Sequence, residues 1–267
     1  MLSFKKYNHS KSNEWVTFIH GAGGSSTIWY KQLKEFKNHY NVLLIDLRGH
    51  GESKKGLKAL KKYTFRNLTL EVLEVLEHLK IKSSHFIGIS LGTIIIRELA
   101  EIKPDKIASM IMGGAILKMN FRGQILMKLG FILKSIIPYI LLYKLFAIVI
   151  LPRANHKESR NLFVREAKKL YQKEFIRWFA LVTKINPILK LFRSKDSNIP
   201  TLYIMGEEDY MFLPPVKMTV EKHSSADLIV MKDCGHVVNV EKPLVFNRHV
   251  LGWLGNRKNH TINMLQA

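Results

Sequence analysis

The sequence is short of cysteine, of acid and of long uncharged apolar runs, and each shortage removes a class of protein. A single cysteine, Cys234, excludes an internal disulfide. It leaves the redox compartment open and favours an intracellular protein, expected in the cytoplasm. The opening Met1-Leu2-Ser3-Phe4-Lys5-Lys6 turns polar within a few positions, so no secretory signal is expected. Gln124 to Pro152 is apolar but interrupted by Lys128, Lys134, Pro138 and Lys144. No uncharged run there reaches the ~18–20 residues that a spanning helix needs. No His, Cys, Asp and Glu stand at metal-ligand spacing, and Gly21-Ala22-Gly23-Gly24 lacks the Lys-Ser/Thr of a phosphate loop, so neither metal nor cofactor is expected. There is no internal repeat and no low-complexity segment. Asp and Glu number 21 against 42 Lys and Arg, a net charge of +21. Such an excess either answers a polyanionic neighbour, such as an anionic membrane face, or is lysine-rich composition with no partner behind it. Nucleic acid is disfavoured, since no nucleic-acid-binding motif accompanies the basic residues.

What is present is a core-forming chain, 47% hydrophobic over 267 residues. Short β-branched runs at Trp15–Ile19, Asn41–Ile45, His85–Ile89, Lys106–Met112, Pro200–Met205 and Asp227–Met231 read as buried strands. Between them lie helical patterns near 27–37, 64–79, 91–103 and 214–222, with a last helix over 241–254 and a polar tail after it. This alternation predicts an α/β protein, with a mainly parallel sheet covered by helices on both faces. The pattern breaks between Met119 and Lys195, where helices with apolar faces are followed by a more polar one near 155–183. Sites in such sheets lie beyond the carboxyl ends of the strands, and His20, Asp46 and Ser90 each fall at one.

Gly88-Ile89-Ser90-Leu91-Gly92 joins a strand to a helix. A serine there occupies a tight, strained turn, which demands small residues two before and two after it. A serine hydroxyl needs a base, and the base needs an orienting acid. Gly206-Glu207-Glu208-Asp209 and Asp233-Cys234-Gly235-His236 follow later strands, in the order Ser, acid, His. With His20-Gly21, with Asp46-x-Arg48-Gly49-His50-Gly51-x-Ser53 and with Glu241-Lys242-Pro243 after Gly235-His236, the chain resembles the α/β-hydrolase fold superfamily in its cap-bearing, esterase-like branch. The resemblance covers residues 15 to 254 apart from the cap. It implies an α/β-hydrolase core of residues 1–118 and 196–267, with a helical cap, 119–195, inserted after the sixth strand.

The resemblance implies Ser90 as nucleophile, His236 as base and Asp209 as its orienting acid, with an oxyanion hole made by the backbone N–H groups of Ala22 and Leu91. Glu207 and Glu208 compete with Asp209, and the family pattern favours Asp209. Asp233 reads as a loop carboxylate, and His20 and Gly21 as holding the oxyanion loop. Gly88 and Gly92 make room for the elbow. Arg48, His50 and Ser53 shape a loop without doing chemistry, Cys234 packs, and His223 and His249 are isolated. Serine at the elbow argues against relatives that use aspartate there, the haloalkane dehalogenases and epoxide hydrolases. Leu91 and Thr93 depart from the Trp and Gly of the prolyl aminopeptidase branch.

The resemblance therefore implies cleavage of a small-molecule carboxylic ester with a hydrophobic acyl group, without a cofactor. The same triad could serve a thioesterase, a C–C bond hydrolase or an acyltransferase, and the fold could carry a non-catalytic lipid-binding module. Oligomeric state is not encoded legibly. Residues 119–195 hold sixteen Lys and Arg against three Glu, a net of +13. Basic residues among long aliphatics suit a helix lying in a membrane interface, here a peripheral contact on the inner face. They equally suit helices that pack over a site and leave their lysines in water.

Overall fold

The computed structural model describes residues 1–57, 60, 62–119, 121–133 and 137–266. The β-branched runs form a seven-stranded sheet. In chain order, β1 (Phe4–Tyr7), β2 (Trp15–Ile19), α1 (Tyr30–Phe36), β3 (Asn41–Ile45), α2 (Phe65–His78), β4 (Ser84–Ile89), α3 (Leu91–Ile102) and β5 (Ile107–Gly113) come first. Five helices follow: α4 (Phe121–Leu133), α5 (Tyr139–Ile150), α6 (Lys157–Ala167), α7 (Gln172–Val182) and α8 (Asn186–Ser194). The chain closes with β6 (Thr201–Gly206), α9 (Leu213–Val220), β7 (Ala226–Met231), α10 (Val238–Glu241) and α11 (Pro243–Gln266).

The strand order is β1-β3-β2-β4-β5-β6-β7, with β1 antiparallel to β3 and each other neighbouring pair parallel. Alternate side chains feed two cores. Leu43, Ile45, Phe86, Met110 and Met112 pack with α2 and α3 on one face. Val42, Leu44, Ile87, Ile111 and Ile204 pack with Trp29, Phe36 and α11 on the other. Both faces are dry, which is why the strands read as continuous apolar runs. Thr64 ends one connection by capping α2: its Oγ1 accepts the N–H of Asn67 at 3.0 Å, a bond worth about 1 kcal/mol.

From β2 the chain steps outward to β3, and β4 then returns to the opposite side of β2. The strand order therefore reverses between β2 and β4, and the crevice beyond their carboxyl ends is where such sheets bind ligands. The loop at Gly21 and the elbow at Ser90 leave those two ends.

Four features differ from the sequence-based expectation. Residues 4–7 form an edge strand, too short and too lysine-rich to stand out as apolar, and lysines suit an unpaired sheet edge. The segment expected as one helix over 155–183 breaks after Ala167. There Lys169 and Leu170 make tight bonds to Glu166 and Ala167, and buried Leu170 turns under the helices. The helix expected to stop at Leu254 runs to Gln266 as α11; Pro243 is at its start, where proline is tolerated, and no proline follows. The helical segment follows the fifth strand and precedes the sixth, not the seventh, because only four parallel strands and the single edge strand come before it. Among the described residues, no helix is long and apolar enough to cross a membrane.

Candidate active site

Ser90 has φ 54° and ψ −121°, a conformation that costs a non-glycine residue energy and that the elbow imposes. Its glycine neighbours are explained by what a side chain would meet. A Cβ on Gly92 would lie 2.4 Å from the Ile19 carbonyl oxygen, and one on Gly88 2.6 Å from Ile96 Cδ1. Gly21 brings its loop against Ser90: a Cβ there would sit 3.1 Å from Ser90 Cβ. The Ser90 N–H donates to the Gly113 carbonyl at 2.9 Å, and Ser90 O accepts from Thr93 Oγ1 at 2.6 Å. The turn is thus fixed on both sides.

Ser90 Oγ lies 2.9 Å from His236 Nε2, and His236 Nδ1 lies 2.7 Å from Asp209 Oδ2. Asp209 and His236 are both buried, and the second carboxylate oxygen of Asp209 accepts the Phe212 N–H at 3.3 Å. The loops that carry them meet directly, since a Cβ on Gly206 would be 2.0 Å from the Gly235 carbonyl oxygen. A serine, an imidazole and a carboxylate in this line can move a proton off the hydroxyl and stabilise the resulting imidazolium.

The competing carboxylates point elsewhere. Glu208 accepts from Asn155 at 2.9 Å and from His156 at 2.7 Å, and pairs with Arg153. The hydrogen bond from Asn155, joined by His156 and Arg153, holds its carboxyl below the usual range against the opposing effect of burial. Glu207 accepts the Asp233 N–H at 3.3 Å. Asp233 itself is exposed and 4.0 Å from Lys242.

Ala22 and Leu91 line one chamber with Ser90, His236 and Gly23. The loop bearing Ala22 is held by neutral histidines. His20 Nδ1–H donates to Gly21 O at 2.7 Å and its Nε2 accepts the Leu47 N–H at 2.9 Å. His50 Nδ1–H donates to Arg48 O at 3.0 Å and its Nε2 accepts the Gly23 N–H at 2.9 Å. In each ring both nitrogens are committed in the uncharged form. Burial lowers the pKa of His20 and, with His20 beside it, pushes His50 down to about 3. The Asp46 carboxylate accepts the Ser26 N–H at 2.6 Å and the Glu52 N–H at 3.0 Å, Ser53 Oγ donates to Asp46 O at 2.7 Å, and Arg48 pairs with Glu71. The stretch from Asp46 to Ser53 is therefore the frame that shapes the Gly21–Ser26 loop.

Four further residues escaped the sequence reading of the site. Tyr143 of α5 donates its hydroxyl to Ala22 O at 2.6 Å, with burial pushing its phenol pKa up. Glu166 of α6 accepts from Ser25 Oγ at 3.0 Å. His156, fully buried, joins Glu208 at 2.7 Å and lies 3.8 Å from Glu241. Glu241 accepts the N–H groups of Gly235 at 2.7 Å and Val237 at 3.1 Å, gripping the backbone on both sides of His236. Only Glu241 left a trace in the sequence, as part of the Glu-Lys-Pro landmark. Tyr143 and His156 lie in stretches whose apolar and basic composition masks single functional side chains. Cys234 is buried, and burial raises its thiol pKa, as suits packing. His223, also buried, is 3.1 Å from Arg193 O through Nε2.

The chamber, about 140 Å³, is lined on the helical side by Tyr143, Phe146, Ile150, Phe175, Trp178 and Phe179. A second, narrow cavity of about 40 Å³ also reaches Ser90 and is walled by Ile28, Leu162 and Val240. Those three residues also line a larger open groove of about 670 Å³ bearing Lys31, Lys157, Glu158 and Arg165. The groove is the larger space, but of these three it is the chamber and the narrow cavity that touch Ser90 and His236. Among the described residues no group of three or more His, Cys, Asp or Glu could hold a metal ion.

The sequence model of the alpha/beta hydrolase fold family matches residues 14–133. The uncharacterized hydrolase YugF of Bacillus subtilis is 26% identical to the chain over 93% of each. A putative carbamate hydrolase, RutD of Acinetobacter baylyi, is 36% identical over 100 residues, a match that spans 37% of each chain. The solved structure of a hydrolase from Oleispira antarctica superposes with a TM-score of 0.83 at 18% identity, over 96% of this chain and 95% of that one. Sheet order, elbow and matched landmarks agree, and the chain has the α/β-hydrolase fold, with the sequence model of that family matching its amino-terminal part.

Proposed function

We propose that the protein is a serine hydrolase that cleaves carboxylic esters with an apolar acyl group by way of an acyl-Ser90 intermediate. The observation that carries this reading is the hydrogen-bonded line Ser90–His236–Asp209 at the floor of an aromatic and aliphatic chamber. Ser90 Oγ attacks the ester carbonyl as its proton passes to His236 Nε2. The N–H groups of Ala22 and Leu91 receive the oxyanion, Asp209 stabilises the imidazolium, and His236 then protonates the departing alcohol. Water, deprotonated by the same histidine, attacks the acyl carbon and returns Ser90 to its free form. The acyl chain occupies the apolar chamber, and the leaving group faces the narrow cavity toward the groove with Lys31 and Arg165. Hydrolase relatives of similar sequence support the reaction class.

A fluorophosphonate probe on wild type and on Ser90→Ala tests the nucleophile, and p-nitrophenyl esters from acetate to palmitate test the chamber. Labelling of wild type alone, with turnover peaking beyond acetate, is the expected result. A folded wild type that takes no label would overturn the assignment of Ser90, and best turnover on acetate would overturn the apolar acyl class.

A further inference from the structure

Helices α4 and α5 wear their apolar residues outward. On α4 the exposed positions Ile125, Lys128, Leu129 and Ile132 follow the i, i+3, i+4, i+7 spacing of one helical face. On α5 the exposed face is Leu141, Lys144, Leu145, Ile148 and Val149, spaced the same way and one step longer. Ile132 is 67% exposed and Ile148 57%. A soluble surface helix normally turns such a stripe to the core. Here the inward positions are also apolar: Leu142, Tyr143 and Ala147 are buried, and Phe146 and Ile150 line the chamber. Both faces of α5 are therefore apolar, and among the described residues only the inner one is covered.

Beside the outer stripe runs a groove of about 420 Å³ between α5 and α6. Lys144, Arg160, Arg165 and Lys168 line it, together with Ile148 from the stripe, and none of its lining residues is acidic. Arg160 is anchored there by bonds to the carbonyls of Leu151 and Arg153. Cations flanking a long aliphatic stripe match one chemical surface, the interface of an anionic phospholipid bilayer. Aliphatic side chains reach the acyl boundary while ammonium and guanidinium groups meet phosphate. A second copy of the chain fits less well, because two such faces would bring four cations against four.

We propose that the α4–α5 face docks on anionic phospholipid membrane, with Leu145, Ile148 and Ile132 entering the interface and the groove of Lys144, Arg160, Arg165 and Lys168 taking a lipid phosphate. Docking does not depend on the hydrolytic reading. If both hold, α5 stands between the bilayer and the chamber at Ser90, so that a lipid-soluble substrate travels a single helix thickness.

The test is co-sedimentation of the full chain, as Ser90→Ala so that no lipid ester is consumed, with phosphatidylcholine vesicles and with vesicles carrying about 30% phosphatidylglycerol. Binding at least 10-fold tighter to the anionic vesicles, and falling as NaCl rises, is expected. Leu145→Gln with Ile148→Gln, and separately Arg165→Glu with Lys168→Glu, should each weaken it 10-fold or more while far-ultraviolet circular dichroism stays unchanged. Lys82→Glu with Lys103→Glu makes the same change in net charge at the amino-terminal edge of the sheet and should leave binding within 3-fold. Absence of binding to anionic vesicles overturns the proposal. So does equal weakening by the Lys82/Lys103 pair, which would make net charge the cause. A dimer in sedimentation velocity that the Leu145/Ile148 substitutions dissociate, without vesicle binding, would assign the face to a second copy.

Discussion

At the scale of single residues the site turns on which carboxylate meets the histidine. Three acids follow β6 in succession, and their side chains diverge within one turn. Asp209 reaches His236 Nδ1 at 2.7 Å, Glu208 is taken by Asn155, His156 and Arg153, and Glu207 meets the Asp233 backbone. Asp209→Asn should lower kcat on a p-nitrophenyl ester by ~10⁴-fold, because an amide there favours the wrong imidazole tautomer. Glu208→Gln keeps the shape and the contact with Asn155, and should cost less than ~10-fold in kcat while lowering stability by ~1–3 kcal/mol through the weakened charged partners. Steady-state kinetics and urea unfolding on the two variants separate the roles. A larger loss of kcat in Glu208→Gln than in Asp209→Asn would exchange them.

At the scale of elements the loop after β2 and the stretch 46–53 after β3 form one unit, latched by two histidines that are neutral in the folded chain. His50 is held near a pKa of about 3 and His20 is also lowered, whereas both titrate near 6.5 when unfolded. Below pH 6.5 the unfolded chain therefore binds protons that the folded chain refuses, so stability is full above that pH and declines as pH falls. His50, held down to about 3, contributes a slope approaching ~1.4 kcal/mol per pH unit well below 6.5, and His20 acts in the same direction. Urea unfolding between pH 7 and 5, above the carboxylate range, should show this fall, and His50→Gln should make the slope shallower whatever it does to absolute stability. A slope unchanged by the substitution would mean that His50 takes up its proton in the folded state.

The same unit shows what the sequence made legible. The strands, the elbow and the order Ser, acid, His could be read because each follows from a local rule: a buried strand is apolar throughout, and a strained turn needs glycine beside it. Roles in the Asp46–Ser53 landmark could be assigned only as loop shaping, since its bonds run to a loop 20 to 27 residues earlier. Tyr143 and His156 were illegible because their partners, Ala22 and Glu208, are 121 and 52 residues distant. The edge strand β1 was missed because four residues pairing on one side need no apolar run. The break at Leu170 has no glycine or proline to announce it; burial of one leucine under the helices decides it.

At the scale of the whole molecule the net charge of +21 acts on stability as well as on docking. Like charges at this density repel across the surface and favour the expanded chain. Salt can act on two opposed terms, since it screens that repulsion and also weakens ion pairs. Two of the close pairs, Arg48–Glu71 and Arg97–Glu101, are largely buried, and burial limits screening. The exposed pair Lys31–Glu158, at 3.9 Å, contributes little to begin with. Repulsion is thus the term that salt changes most. Raising NaCl from 20 to 200 mM should lift Tm by ~2–4 °C, the equivalent of about 1 kcal/mol for a chain near this size. Sodium chloride is the salt to use, because sulfate would stabilise by exclusion from the surface and hide the electrostatic part. Reversing charge at the end of α6 with Arg165→Glu and Lys168→Glu should shrink the lift, since four units of repelling charge are gone. A Tm that falls with added NaCl would mean that the ion pairs, and not the excess of lysine and arginine, dominate the balance.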